Sequence, residues 1–219
     1  KTAFRDSLEL LRQTTPAMWQ LQPVVRAILD EFENAAAGEE NLLRIVDKFP
    51  PPQKHWSPSC TKGVAGMGYT CGLWELFHII TVGLVEYNMM IASNDDTILD
   101  EMALSVVHAA ETFRGFVENF FGCELCRINF LRGFDACAHD RCSRLDDKIH
   151  DDEHWMQLPM WLWETHNAVN ARLLHEQADR EKRTVTHEEE VASQFPARAE
   201  CPKCWPESGG WDEEIVYKY

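Results

Sequence analysis

The chain has 219 residues, with 36 acidic against 21 basic side chains and a formal net charge of −15. That balance excludes a surface built for nucleic acid or an anionic membrane, which needs clustered Lys and Arg. Hydrophobic residues make up 45 %, with eight Trp and eleven Phe, so the chain can fill a core instead of remaining disordered.

The first fifty-odd residues hold no cysteine and a single glycine, Gly38. Thr15-Pro16 predicts a helix start, with Thr as cap and Pro in the first helical position. Val25, Ile28, Leu29 and Phe32 come next at i, i+3, i+4 and i+7, the spacing of an amphipathic face. Gly38 is expected to end that helix, and Leu42 to Phe49 to form another. Phe49-Pro50-Pro51-Pro52 then marks a boundary, because consecutive prolines cannot continue a helix. Residues 1–54 therefore read as a helical layer packed on the remainder of the chain.

Trp56 to Tyr69 reads as a loop. Helices are predicted from Cys71 to about Met90, from Thr97 to Phe120, from around Cys123, and from about Pro159 to Gln177. Strand signals are nearly absent, since no run alternates apolar and polar residues beside a tight turn. Four helices of this length predict an all-α antiparallel bundle. The longest apolar stretch, Leu76 to Ala92, is broken by His78, Glu86 and Asn88, whereas a spanning helix needs about 20 mostly apolar residues. Asp179 to Glu190 reads as a solvated loop or frayed helix extension. Phe195 to Trp205 reads as a short ordered segment, and residues 206–219 as a loosely held tail. The chain opens on Lys1 with no signal segment, which reads as an internal piece or mature form of a longer precursor.

Eight cysteines fall in four close pairs: Cys60/Cys71, Cys123/Cys126, Cys137/Cys142 and Cys201/Cys204. Such pairing implies disulfides, metal or redox chemistry, and disulfides would place the protein in an oxidising compartment. Cys123-Glu124-Leu125-Cys126 allows a small disulfide ring on one helical turn. At a helix start the second thiol lies near the positive end of the macrodipole, which favours thiolate. From spacing alone, redox chemistry, half a zinc site and an inert staple all remain open.

Two further helices carry an anomaly. Cys71, Trp74 and His78 share one face, and so do Trp163, His166, Asn167 and Asn170. A core-facing stripe should be aliphatic. Here it is indole, imidazole and carboxamide, which cost free energy when buried unless hydrogen-bonded. Such stripes suit a flat, hydrogen-bonding ligand such as a nucleotide or flavin.

Cys71-Gly-Leu-Trp74-Glu-Leu-Phe-His78, Phe120-Phe-Gly-Cys123-Glu-Leu-Cys126, Trp161-Leu-Trp163-Glu-Thr-His166-Asn167-Ala-Val169-Asn170 and Phe195-Pro…Cys201-Pro-Lys-Cys204 together resemble the Erv/ALR flavin-dependent sulfhydryl oxidases, most of all the quiescin sulfhydryl oxidases. The resemblance covers about Trp56 to Trp205. It implies an Erv-type four-helix bundle with a short fifth helix over residues 55–205, preceded by a degenerate Erv-like layer over residues 1–54. It also implies a thioredoxin-type domain upstream of Lys1, through which dithiol and protein-thiol substrates would reach this chain, with a location in the secretory pathway (ER or Golgi) or outside the cell.

By the same resemblance, Cys123 and Cys126 form the disulfide beside FAD. Cys126 is the thiol that reduces the flavin, and Cys123 the one that exchanges with the incoming dithiol. Trp74, His78, Trp163, His166, Asn167, Val169 and Asn170 would line the FAD, with O2 as final acceptor and H2O2 as product. Cys60–Cys71 matches a structural disulfide, and Cys201–Cys204 matches a third CxxC that is either structural or redox-active. Three positions depart from the family pattern: Met67 stands where a basic residue is common, Asn129 where His is common, and Arg198 stands in for a Lys near the phosphates. Cys137-Ala-His-Asp-Arg-Cys142 is an addition, read most simply as a structural loop disulfide, with a second redox pair as the alternative. The competing reading is a helical interaction module without catalysis, either disulfide-stapled or held by zinc at Cys123/Cys126 and Cys201/Cys204, with His139 near Cys137/Cys142 supplying more ligands, although 74 residues lie between the two CxxC pairs.

Overall fold

The computed structural model describes residues 1–51, 68–94, 102–149, 151–206 and 209–219. Among these the chain is helical, with no strand. Four helices form a small N-terminal layer: α1 (Thr2–Thr14), α2 (Leu21–Asp30), α3 (Phe32–Ala35) and α4 (Glu39–Val46). The bundle begins with α5 (Tyr69–Asn94), α6 (Val106–Phe120) and α7 (Glu124–Asp135). After the short helices α8 (Arg141–Arg144) and α9 (Asp152–Trp155) comes its fourth long member, α10 (Gln157–Glu181). The short fifth helix is α11 (His187–Ser193), and α12 (Glu213–Lys218) closes the chain.

Burial tracks helical spacing. Leu84 and Val85 of α5, Ala109, Ala110 and Phe113 of α6, and Leu158, Trp161 and Leu162 of α10 form the sealed centre of the bundle. Length and hydropathy alone would let α5 cross a membrane. In this fold its Phe77, Ile80, Leu84, Val85 and Ile91 are spent on that core, and Asn88 is clamped to Leu104 by two hydrogen bonds of 2.9 and 2.7 Å. A second cluster, Leu8, Val25, Ile28, Phe32, Ala35 and Ile45, holds the N-terminal layer together.

The layer is joined to the bundle through α1, which packs on both α5 and α6. Two glycines permit the approach. A Cβ at Gly83 would stand 1.9 Å from the Thr14 carbonyl oxygen, and one at Gly115 would stand 3.3 Å from the Ala3 Cβ.

Several local expectations change. Thr15 closes α1 instead of opening a helix: its hydroxyl donates to the Leu11 carbonyl at 2.7 Å, and the Gln22 amide donates to its carbonyl and hydroxyl. With the hydroxyl occupied there, Pro16 enters a turn and the next helix starts at Leu21. The helix carrying Val25 ends at Asp30, and Gly38 precedes α4 rather than terminating the earlier helix. Within the predicted 97–120 helix, Met102 is helical, the helix is broken at residues 103–105, and α6 starts at Val106, where the Ser105 side chain accepts the His108 amide; residues 95–101 lie outside the described residues.

The charged stretch 179–190 is divided. α10 stops at Lys182, in the left-handed region at φ 55°, and α11 starts from a capping box between Thr186 and Glu189. The final segment is also more ordered than its composition implies. Val216 of α12 is buried, and Trp211 meets Trp163 edge-on with centroids 5.1 Å apart.

Candidate active site

Cys123 caps the N-terminus of α7, and its Sγ accepts the Cys126 amide at 3.3 Å. The two cysteines are disulfide-bonded, with Cα atoms 5.3 Å apart. Cys123 is exposed and Cys126 half-buried, so the two cysteines differ in access to solvent. The helix start favours the thiolate form of both. Phe121, two residues ahead, stacks on Tyr69 at 6.2 Å, bringing the first turn of α5 beside the segment that enters the CxxC.

Further along α5, Trp74 lies against His166 of α10, with ring centroids 4.3 Å apart and planes 8° from parallel. His78 Nε2 is 3.2 Å from His166 Nδ1, a hydrogen bond in which one imidazole donates and the other accepts. Burial pushes His78 down to about 4, and burial together with the neighbouring His78 pushes His166 down to about 3. Both rings are therefore neutral near pH 7. Phe195 completes the cluster at 5.8 Å from His78 and 5.5 Å from His166.

Phe195 is held by its backbone. The Trp163 indole donates to its carbonyl at 2.6 Å, and the Asn167 amide does so at 2.9 Å. Asn167 Oδ1 in turn accepts the Phe195 N–H at 2.7 Å. The polar stripe on α10 thus has a reason besides a ligand: two of its members satisfy a loop segment lying across the bundle. Phe195 itself was signalled only by its place ahead of Pro196. Asn129 stands half-buried one turn beyond Cys126, and Val169 and Asn170 half-buried one turn beyond His166. Arg198 is exposed in the turn after Pro196.

Beside His78 a cleft of about 650 Å³ opens between the α1–α2 turn, α5, α10 and the C-terminal segment, with Val82, Met160, Trp163, Phe195 and Tyr217 in its walls. The volume and apolar lining are those of ligand clefts. His78 thus borders both the cleft and the Trp74–His166 stack. Two neutral, half-buried imidazoles and the parallel indole–imidazole stack fit a planar, hydrogen-bonding cofactor.

The other cysteines differ in surroundings. Cys201 and Cys204, 7 % and 0 % exposed, are joined within a cluster of Met160, Trp163 and Val216, packed against Trp205 and Trp211. Each CxxC closes its own disulfide. Cys137 and Cys142 are joined across the turn between α7 and α8. The expected Cys60–Cys71 pairing and the departure at Met67 lie outside the described residues.

The Erv1 / Alr family matches residues 71–192. The chain is similar to sulfhydryl oxidase 1 of Gallus gallus, 31 % identical over 155 residues that cover 69 % of this chain and 17 % of that protein. Sulfhydryl oxidase 2 of Mus musculus is 26 % identical over 223 residues, 95 % of this chain and 28 % of its own length. The chain thus spans between about a sixth and about a quarter of these curated relatives. Among solved structures, the sulfhydryl oxidase fragment of human QSOX1 shares the fold, with a TM-score of 0.63 at 20 % identity over 99 % of this chain and 80 % of that one. The match spans both the CxxC that caps α7 and the Trp74–His78 and His166–Asn167 faces, and the chain belongs to the Erv1 / Alr family.

Proposed function

We propose that this chain is a thiol oxidase that forms disulfides from dithiols at Cys123 and Cys126, using bound FAD and O2. The observation that carries the reading is the asymmetric disulfide at the start of α7, one cysteine exposed and one half-buried, in a bundle that also carries a half-buried face of stacked indole and neutral imidazole.

The residues divide the work. A substrate thiolate attacks the exposed Cys123 sulfur, forming a mixed disulfide and releasing Cys126 as a thiolate. The first turn of α7 stabilises that leaving thiolate. The second substrate thiol resolves the mixed disulfide and leaves with an intact disulfide of its own. Trp74, His78, His166 and Asn170 would hold the cofactor by stacking and hydrogen bonding, while Trp163 and Asn167 fix Phe195 against the histidines. Asn129, Val169 and Arg198 complete the proposed set. Cys126 and Cys123 then re-form their disulfide, giving up two electrons and two protons; FAD held by these residues would be the electron acceptor, with O2 as final acceptor and H2O2 as product.

The domain reading is part of the same proposal: residues 55–205 as the oxidase unit, residues 1–54 as a degenerate Erv-like layer, and 206–219 as a tail. So is supply of electrons by a thioredoxin-type domain elsewhere in the full-length protein, in the secretory pathway or outside the cell. Three disulfides among the described residues support an oxidising compartment. We read Cys201–Cys204 as structural, since its buried sulfurs leave no route for an attacking thiol.

The test is a visible spectrum of the purified chain. A flavin band that bleaches on anaerobic addition of dithiothreitol, and fails to bleach in Cys126→Ala, is the expected result. A colourless folded protein reconstituted with FAD and still without a band would end the proposal.

A further inference from the structure

The turn between α7 and α8 carries a disulfide that the thiol oxidase reading does not use. Cys137 and Cys142 close a ring five residues apart. Cys142 is exposed and Cys137 half-buried, the reverse of the sealed Cys201–Cys204 pair. The ring backbone is unusual. Cys137, His139 and Asp140 have φ of 55°, 56° and 57°, the left-handed region that side chains bearing a Cβ occupy at a cost.

The turn does not depend on its disulfide for anchorage. Arg141 donates twice to the Phe134 carbonyl, at 3.3 and 3.1 Å, and its guanidinium lies 3.7 Å over the Phe134 ring. Arg144 reaches Glu164 at 2.7 Å and Gln157 at 3.0 Å, and the Trp161 indole donates to the Ala138 carbonyl at 3.2 Å. A ring this short restricts the unfolded chain less than a long one. An exposed cysteine, a costly backbone and independent anchors are the features of an exchangeable disulfide rather than a staple.

We propose that Cys137–Cys142 is a second thiol-exchange site, opened by dithiols directly and independently of Cys123–Cys126. A dithiol's thiolate attacks Cys142 Sγ, the Cys142–Cys137 bond breaks, and Cys137 leaves as a thiolate that takes up a proton. The second thiol of the dithiol then attacks the mixed disulfide, releasing Cys142. Two electrons and two protons pass from the dithiol to the pair, and the dithiol departs as a disulfide. Opening the ring frees Cys137, His139 and Asp140 from the left-handed region. Arg141, Arg144 and the Ala138–Trp161 bond keep the turn docked on α7 and α10, so the pair opens and re-forms within an intact fold.

The full chain is incubated anaerobically in graded dithiothreitol, quenched with iodoacetamide, and each cysteine pair is quantified by peptide mass spectrometry. Cys137 and Cys142 are expected to be labelled at about tenfold lower dithiothreitol than Cys201 and Cys204, with the near-ultraviolet circular dichroism native. The same labelling is expected in Cys123→Ala/Cys126→Ala, which separates this site from the oxidase reading. Labelling only together with Cys201 and Cys204, only on unfolding, or only when Cys123 and Cys126 are present overturns the proposal. In His139→Gly/Asp140→Gly, glycine removes the backbone cost, and reduction should need several-fold more dithiothreitol; an unchanged midpoint overturns it equally.

Discussion

The Trp74 indole and the His166 imidazole lie parallel, 4.3 Å apart, although 91 positions separate them in the chain. The stack joins α5 to α10 on the face where both helices abandon aliphatic residues. Its second partner, His78, hydrogen-bonds His166 and borders the adjoining cleft. Every proposed cofactor contact on these helices depends on this crossing.

Trp74→Ala removes half of the stack. An aromatic pair contributes about 1 kcal/mol beyond area burial, so flavin affinity should fall roughly fivefold. Flavin retained after gel filtration, read as the ratio of visible to 280 nm absorbance, checks this, with helical content unchanged by circular dichroism.

The two CxxC pairs should separate cleanly. Cys126→Ala should abolish dithiol oxidation, measured as oxygen uptake, while leaving bound flavin and the thermal midpoint nearly intact. Cys201→Ala/Cys204→Ala should keep turnover within about twofold but cost about 2 kcal/mol of stability, from a lost short ring and the void under Trp205 and Trp211.

The histidine pair makes the flavin-free protein acid-sensitive. Both imidazoles ionise near 6.5 when unfolded, but at about 4 (His78) and about 3 (His166) in the fold. Above pH 6.5 neither state takes up protons and the pair costs nothing. Below it the unfolded chain binds protons that the fold refuses, so stability falls as pH drops from 6.5 toward 4. His78 alone should account for roughly 3 kcal/mol across that window. Urea titrations at pH 7 and pH 4.5 should show this loss reduced in His78→Gln.

Gly83→Ala should separate the N-terminal layer from the bundle, because the new methyl would meet a backbone carbonyl that cannot rotate away. A loss of about 3 kcal/mol or more in chemical denaturation is expected. Gly115→Ala, facing only the Ala3 methyl at 3.3 Å, should cost no more than about 1 kcal/mol.

Helix type, the CxxC at a helix start and the polar-aromatic faces of α5 and α10 were legible in the chain alone. Each rests on spacings of three to seven residues, which helical geometry converts directly into a shared face. The same local logic misplaced Thr15. Its hydroxyl has two competing backbone partners, one ahead and one behind, and the packing of α1 with Gln22 chose the Leu11 carbonyl. Tertiary structure also decided that Trp163 and Asn167 grip Phe195, 32 and 28 positions away, and that Cys201–Cys204 is sealed while Cys123 is exposed. A cysteine pair has the same local pattern whether its sulfurs face solvent or indole. Only the packing of distant segments sets which cysteine a thiol can reach.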